Sequence, residues 1–515
     1  MVIAHLKAVG AELAAVLPKD DLPWYKKPNL RRLIYSSTSM FLLASANGYD
    51  GSMMNGLQAL PQWENFMDTP TGAWLGFINA VQSLGAFSVY PVAAYCANKF
   101  GRKKTMYVAY FWLALGVALQ TAAQNTTMFI FGRLFIGGVT CFFSSSAPLL
   151  ITETAYPTHR GGLTALYGTG WYIGSTIAAW ATYATRNYGG SGSNWAWRIP
   201  SVLQLLIPLV ALPGLLMAPE SPRWLSAVGR TDEARAILRE FHAEGDENSP
   251  LVDFEMAEIS ETLRLERERE TSTTWLDLVR TKGNRHRFFI SITLGIAAQW
   301  NGVGIVSYYL APVLRTVGIT SVTQQTLISG FLQIWNLIIA VAAALTVDLV
   351  GRRRLFLVSS SGMLVCYIII SGLAGSFANT AATSTGIAVI PFLFVYYGFY
   401  DIAYTPLLYG YTCEIWPYEL RARGVASMNL ATSMATFFNI FVNPIALDGI
   451  QWKYYLVYVA LLFVITTTIY FFYPETRGHS LEEMARIFDG DKAAVPSEGS
   501  VLGDKKDSTT VVEDV

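Results

Sequence analysis

Polar residues in this chain gather in short clusters between long apolar runs. A helix needs about 20 apolar residues to cross the hydrocarbon core of a bilayer. Runs of that kind lie near 33–56, 72–97, 105–123, 128–150, 162–185, 199–217, 287–314, 324–347, 354–376, 385–412, 424–446 and 453–473. One long polar stretch, 218–286, separates the sixth run from the seventh. It holds "RTDEARAILREF" and "EMAEISETLRLERERE", whose helical periodicity and charge predict short amphipathic surface helices. The pattern predicts an N-terminal segment 1–32, a six-helix bundle 33–217, linker helices 218–286, a second six-helix bundle 287–473 and a largely disordered tail 474–515.

Composition agrees with that pattern. Of the 515 residues 52% are hydrophobic and 14% charged, where a soluble protein averages about 25% charged. Mean hydropathy is +0.34. Net charge is zero, so nothing in the balance points to nucleic acid. Cys96, Cys141, Cys366 and Cys413 lie in or beside apolar segments without metal-ligand spacing, and read as small buried hydrophobes. The first 28 residues are polar and broken by prolines, unlike a cleavable signal peptide.

The placement of Lys and Arg predicts sidedness. Lys26, Lys27, Arg31 and Arg32 precede the first run, "NKFGRKK" follows the second, "GRRR" the eighth and "RAR" the tenth. The opposite loops hold only Arg186, Arg198, Arg315 and Lys453 at their edges. Both termini and the linker are expected in the cytoplasm. Asn125, in Asn125-Thr126-Thr127, is then a glycosylation sequon on the external side.

Short motifs also repeat. "NKFGRKK" around Gly101 returns as "VDLVGRRR" around Gly351, "ETAYPTHRGG" at Glu153 as "EIWPYELRARG" at Glu414, and "PESPRWL" at Pro219 as "PETRGHSLEE" at Pro474. A shared offset of about 250–260 residues argues for two pseudo-symmetric halves that rock about a central site.

With "GYD", the Gly132-Arg133 pair and the "YY" of the seventh run, these motifs resemble the sugar porter family of the major facilitator superfamily, from about Ser45 to Glu483. "FVNPIALDGIQWKYYLVYV" is most similar to the fungal branch of lactose and cellodextrin permeases. The resemblance implies an all-α membrane protein of twelve transmembrane helices, with a cytoplasmic helical linker domain. It also implies that Arg102, Glu153, Arg160, Glu220, Arg352, Glu414, Arg421 and Glu475 form a set of cytoplasmic salt bridges. These join the bundles when the transporter faces outward and part when it faces inward. Surface pairs are individually weak, so such a lock can open. Asn98 stands where the family commonly has Asp, whereas the second half keeps Asp348.

One acid is out of place in an apolar run: Asp50, in "SANGYDGSMMNG". It lies 18 residues past Arg32, roughly 27 Å along a helix. Arg133 lies 20 residues before Glu153, roughly 30 Å from the same edge. The two opposite charges therefore sit at similar depth, and each offers the other a partner. The resemblance implies that Asp at this position accompanies proton symport.

For the solute, the resemblance implies a site formed by Tyr172, Gln299, Asn336, Tyr409 and Thr432. Asp401 is a second intramembrane carboxylate that could be a sugar ligand, an auxiliary proton site or a partner for nearby tyrosines. Amides such as Gln299 and Asn336 offer both donor and acceptor to hydroxyls. Tyr308 and Tyr309 belong with an external gate. Ala298, Val303 and Gly304 stand where family members carry amides, and the small Ala298 and Gly304 are expected to make room for a larger ligand; Asn301 is the candidate substitute.

The expected partners are a small sugar, a proton and the lipid bilayer, with the monomer as functional unit and no cofactor or metal. The leading expectation is a proton-coupled importer of a mono- or disaccharide or glucoside in the plasma membrane. Alternatives are a proton-independent facilitator, a carrier of a polyol or other metabolite in either direction, and a non-transporting sensor. Five histidines without a metal cluster, a phosphate-binding loop or an acyl-transfer motif speak against an enzyme.

Overall fold

The computed structural model describes residues 15–18, 24–190, 192–272, 274–417, 419–477 and 481–489. The expected disorder of the tail beyond 489 lies outside the described residues. The side chain of Asp348 lies outside them too. Twelve helical spans follow in order: α1 (Pro28–Leu57), α2 (Gly72–Phe100), α3 (Arg102–Thr121), α4 (Thr126–Thr154), α5 (Arg160–Thr185) and α6 (Trp195–Leu203 and Leu206–Met217) form the first half. The second half holds α7 (Lys282–Trp300 and Val303–Thr316), α8 (Val322–Val350), α9 (Arg352–Thr380), α10 (Thr383–Asp401 and Tyr404–Ile415), α11 (Arg421–Ile450) and α12 (Tyr454–Phe472).

Eight stretches among the described residues are long and apolar enough to cross a membrane. They carry nine of the twelve spans; α1, with Asp50, three asparagines and several serines, is not among them. Large apolar side chains such as Phe87, Phe111, Leu345, Phe463 and Phe471 point outward and are well exposed. Water would not tolerate that surface on this scale, but lipid does.

The helices of the first half approach so closely that side chains are excluded from the crossings. A Cβ on Gly48 would strike the Trp171 carbonyl, and one on Gly174 would strike the Ser45 carbonyl. Ser45 and Ser175 hydroxyls donate across the same seam to the carbonyls of Gly170 (2.8 Å) and Gly48 (3.0 Å). Small residues and hydroxyls at a crossing are the means by which helices associate where lipid removes the hydrophobic drive. Thus Gly48, beside the out-of-place acid, is there for α5.

The sequence repeat is also a repeat of geometry. Gly101 and Gly351 have φ of 95° and 105°, a region that favours glycine. Each starts a helix whose first amides point at a carboxylate. Glu220 accepts from the amides of Arg102 (3.1 Å) and Lys103, and Glu475 from those of Arg352 (2.8 Å) and Arg353. Lys103 Nζ then donates to the Leu216 and Ala218 carbonyls at the end of α6, and Arg353 to the Tyr470 carbonyl near the end of α12. A carboxylate at a helix N-terminus and a cation at a C-terminus are each favourable.

The two carboxylates titrate in opposite directions. Burial pushes Glu220 above the usual carboxylate range despite its amide donors. Burial acts the same way on the more exposed Glu475, but four amides together hold it below that range. Stability from Glu475 is therefore present at neutral pH and lost as pH falls through its depressed pKa. That from Glu220 is present in acid and lost as pH rises through its raised pKa. Acidification should loosen the start of α9 and leave that of α3 in place. Amide exchange at Arg352 and Arg353 against Arg102 and Lys103, corrected for intrinsic rates, checks this.

The linker helices dock on the first half. Glu244 accepts from the Asn29 and Leu30 amides at the start of α1, and Arg32 pairs with Glu240 at 3.2 Å. Buried His242 lies between Glu255 (2.7 Å) and the Thr154 carbonyl (3.1 Å) at the end of α4. Leu481–Asp489 is a helix, and Asp489 pairs at 2.8 Å with Arg287, which is buried at the start of α7.

Candidate functional site

Asp50 and Arg133 meet inside the first half. Both are buried, 1% and 2% exposed, and Arg133 Nη1 lies 3.5 Å from Asp50 Oδ1. That distance is electrostatic contact rather than a well-formed hydrogen bond. Neither carboxylate oxygen accepts a hydrogen bond from the described residues. Arg133, by contrast, is held by other groups: Nε donates to the Ile78 carbonyl (3.0 Å), and Nη2 to Gln82 Oε1 (3.2 Å) and the Asn79 carbonyl (3.4 Å). The guanidinium is a fixed fixture of the α2–α4 seam, and the carboxylate is the loosely held member.

The residues expected at the solute site are only partly brought together. Tyr172 on α5 donates to Asp401 Oδ1 through a short hydrogen bond that crosses between the halves. Thr405 Oγ1 also donates to that oxygen, at 2.9 Å, while Oδ2 stays buried without a partner. Asp401 ends the first segment of α10, and the chain leaves helix at 402–403 before α10 resumes. Asn336 is buried with its Oδ1 unpartnered. Gln299 is half-buried, and its side-chain amide makes no hydrogen bond to the described residues. These groups retain hydrogen-bonding capacity for a hydroxylated solute.

The two other expected members differ. Tyr409 is 56% exposed and stands two turns beyond Asp401 toward the linker end. Thr432 bonds its own helix at the Met428 carbonyl (2.9 Å) and lies where a side chain on Gly295 would be. Its visible work is the α7–α11 crossing.

The expectation that Ala298 and Gly304 leave space is not met. Ala298 is fully buried, and the place a Cβ would take on Gly304 is occupied by the side-chain amide of Asn439 from α11. The reason lies in the broken seventh helix. At Asn301-Gly302, where Gly302 has φ of 101°, the helical ladder stops, and main-chain groups inside a membrane need other partners. Asn439 Nδ2 donates to the Gln299 carbonyl (2.8 Å), Tyr367 to the Gly302 carbonyl (2.8 Å) and Tyr396 to the Asn301 carbonyl (3.2 Å). Asn301 Oδ1 accepts from the Val303 amide at 3.0 Å; it serves the break, not an empty pocket. Tyr458 then links Asn439 (3.1 Å) to Asn443 (2.6 Å). Asn439 and Asn443 escaped the sequence reading. Their spacing of one turn inside an apolar run is the signal that could have found them.

Two ion pairs among the residues expected to form the cytoplasmic set lie within the bundles. Arg102 grips Glu153 with Nε at 3.0 Å and Nη2 at 3.1 Å, and Arg352 grips Glu414 with Nη2 at 2.9 Å. Each joins neighbouring helices of one half, because the Gly–carboxylate anchor fixes the start of α3 or α9 beside the end of α4 or α10. Arg160 and Arg421 are the first residues of α5 and α11. Asn125, in the short connection 122–125, is exposed and caps α4 by accepting from the Met128 amide at 2.8 Å.

The model of the sugar (and other) transporter family matches residues 37–488. The chain belongs to that family, within the major facilitator superfamily. The matched span takes in both halves and the linker. Among curated relatives, the MFS-type transporter oryC of Aspergillus oryzae is 30% identical over 427 residues, covering 82% of this chain and 78% of that protein. High-affinity glucose transporter 1 of Candida albicans is 26% identical, covering 90% and 87%. Quinate permease of Neurospora terricola is 28% identical, covering 92% and 91%. Among solved structures, the xylose transporter XylE from E. coli in an inward open conformation aligns with a TM-score of 0.72 at 22% identity, over 88% of this chain and all of that one. That likeness shows a shared fold. The family is one of transporters rather than enzymes, and the chain is a multi-pass membrane protein.

Proposed function

We propose that this transporter carries a small hydroxylated solute, a sugar in the first instance, by proton symport with alternating access. The observation that carries the reading is the Asp50–Arg133 pair. A carboxylate buried away from water is costly unless compensated. Here the compensation is one cation at 3.5 Å, with both oxygens open to a proton. Arg133 keeps its three other acceptors when Asp50 is neutralised, so protonation changes one side of the pair without stranding the other. Loss of the attraction favours a different arrangement of α1 against α4, and solute binding biases the same equilibrium. One relative in fold, XylE, is described as a proton:xylose symporter, which supports the reading.

The proposed solute site lies between the halves, at Tyr172, Asp401, Asn336 and Gln299. Tyr172–Asp401 is the contact that solute entering from one side would exchange or tighten. We expect Tyr172→Phe to raise the KM for the preferred solute about tenfold, the order of one lost hydrogen bond to a charged group. A KM unchanged within twofold would remove this contact from the site. Orientation follows the Lys and Arg clusters, with linker and termini in the cytoplasm and the protein in the plasma membrane.

Uptake by cells lacking their own carriers, with and without a protonophore, tests the coupling. Concentrative uptake should collapse to equilibration when the proton gradient is removed. A panel of glucose, xylose, lactose, cellobiose, a polyol and quinate tests the solute. A second reading, a polyol or hydroxy acid, has a specific observation behind it. The room at Gly304 is filled by Asn439, whose amide is engaged with the main chain and Tyr458, so fewer amides face the solute than the family pattern provides.

A further inference from the structure

The outer segment of α7 is bent, and the bend frees main-chain groups. Tyr309 has φ −137° and ψ 32°, outside the helical region. In a continuous helix the Leu310 amide would donate to the Val306 carbonyl. Here the Leu310 amide donates to Asn55 Oδ1 at 2.9 Å, and the Val306 carbonyl accepts from Asn55 Nδ2 at 3.5 Å. One side chain from α1 occupies both ends of the missing bond. One turn further on, at the residue that caps the end of α1, Gln58 Nε2 donates to the Tyr308 carbonyl at 2.9 Å. That carbonyl has no helical donor, because the residue four ahead is Pro312. Asn55 and Gln58 are 3% and 2% exposed, and they share a face of α1 at i, i+3 spacing.

We infer that Asn55, with Gln58, is the residue pair that holds the entrance opposite the linker shut, by standing in for main-chain bonds that α7 surrenders when it bends. The two states then exchange like for like. Closed, α7 is bent and bonded to α1 across the halves; open, α7 closes its own Leu310–Val306 bond and α1 is released. Unsatisfied main-chain groups in either state are few, so neither is trapped. Arg315 adds to the closed form, pairing with Glu64 at 2.6 Å and donating to the Gln58 carbonyl at 2.8 Å, but these lie in more exposed positions. The inference does not depend on which solute or ion is carried.

The test is a distance measurement across the entrance on the full-length protein in detergent, without solute or gradient. Nitroxide labels are placed at the exposed positions Asn65 in the first half and Thr320 in the second. The background is Cys96→Ser, Cys413→Ser. Asn55→Ala should shift the ratio of long to short distances about tenfold toward the long form, since the bent α7 then has an unpaired amide and carbonyl. Pro312→Ala, which restores a helical donor for the Tyr308 carbonyl and so makes Gln58 dispensable, should shift it in the same direction. An unchanged distance distribution in a monodisperse Asn55→Ala protein overturns the inference. Should that variant fail to fold, Pro312→Ala decides alone: a shift supports the stand-in role, and no shift refutes it.

Discussion

Asp50→Asn should abolish uphill accumulation of solute while leaving downhill exchange within about threefold of the unmodified protein. The substitution keeps the shape of the side chain and removes its proton chemistry. It mimics the neutral state, in which Arg133 retains its bonds to Ile78, Asn79 and Gln82, so the fold should hold. The available driving force is about 2.3 kcal/mol per 100 mV and about 1.4 kcal/mol per pH unit. An asparagine at position 50 would forfeit all of it. The pH dependence of net uptake should vanish with it, while exchange across a membrane with equal pH on both sides should be nearly flat. Counterflow and net uptake in proteoliposomes read the two quantities separately. Normal concentrative uptake by the variant would take Asp50 out of the mechanism.

The second large effect is structural and concerns glycines in one helix. Gly174→Ala should lower stability by about 3 kcal/mol or more, because the added methyl meets the Ser45 main chain, which cannot swing aside as a side chain would. Gly168→Ala, six residues earlier in α5, meets nothing within 4 Å. It should stabilise by about 0.5–1 kcal/mol through the ordinary advantage of alanine in a helix. Thermal unfolding followed by size-exclusion chromatography in detergent separates them: one melting point falls by many degrees, and the other rises slightly. Equal behaviour of the two variants would mean that the α1–α5 seam is looser than its carbonyl contacts imply.

Much of the architecture was legible because a bilayer imposes length and polarity on every span. Runs of apolar residues placed the twelve helices, and Gly101 and Gly351 with their carboxylates announced the repeat. Asp50 and Arg133 were legible as a pair because helical rise alone puts them at one depth. The breaks in α7 and α10 were not. Asn301-Gly302 reads as an ordinary turn signal, and nothing local shows that Asn439, Tyr367 and Tyr396 arrive from three other helices to satisfy it. For the same reason the small residues at 298 and 304 suggested space. Emptiness in a sequence is filled by whatever the fold brings there, and here it brought an amide from α11. The ion pairs were legible only as charges at helix ends. Glu153 and Glu414 sit near the ends of α4 and α10, and their positions in the chain do not say which arginine each meets. The starts of α3 and α9 bring Arg102 to the first and Arg352 to the second.

The mirrored clasps at Gly101 and Gly351 have a mechanical corollary. Three helices in each lobe, α3, α4 and α6 in one and α9, α10 and α12 in the other, are tied together at one rim by main-chain donors and a two-pronged arginine grip, which stiffens the lobe like a riveted corner. Deformation during a transport cycle is thereby concentrated in the few places left soft: the elbows at 301–302, 309 and 402–403. A turnover number would consequently respond more to changes at these elbows than to substitutions of equal size anywhere within the riveted rims.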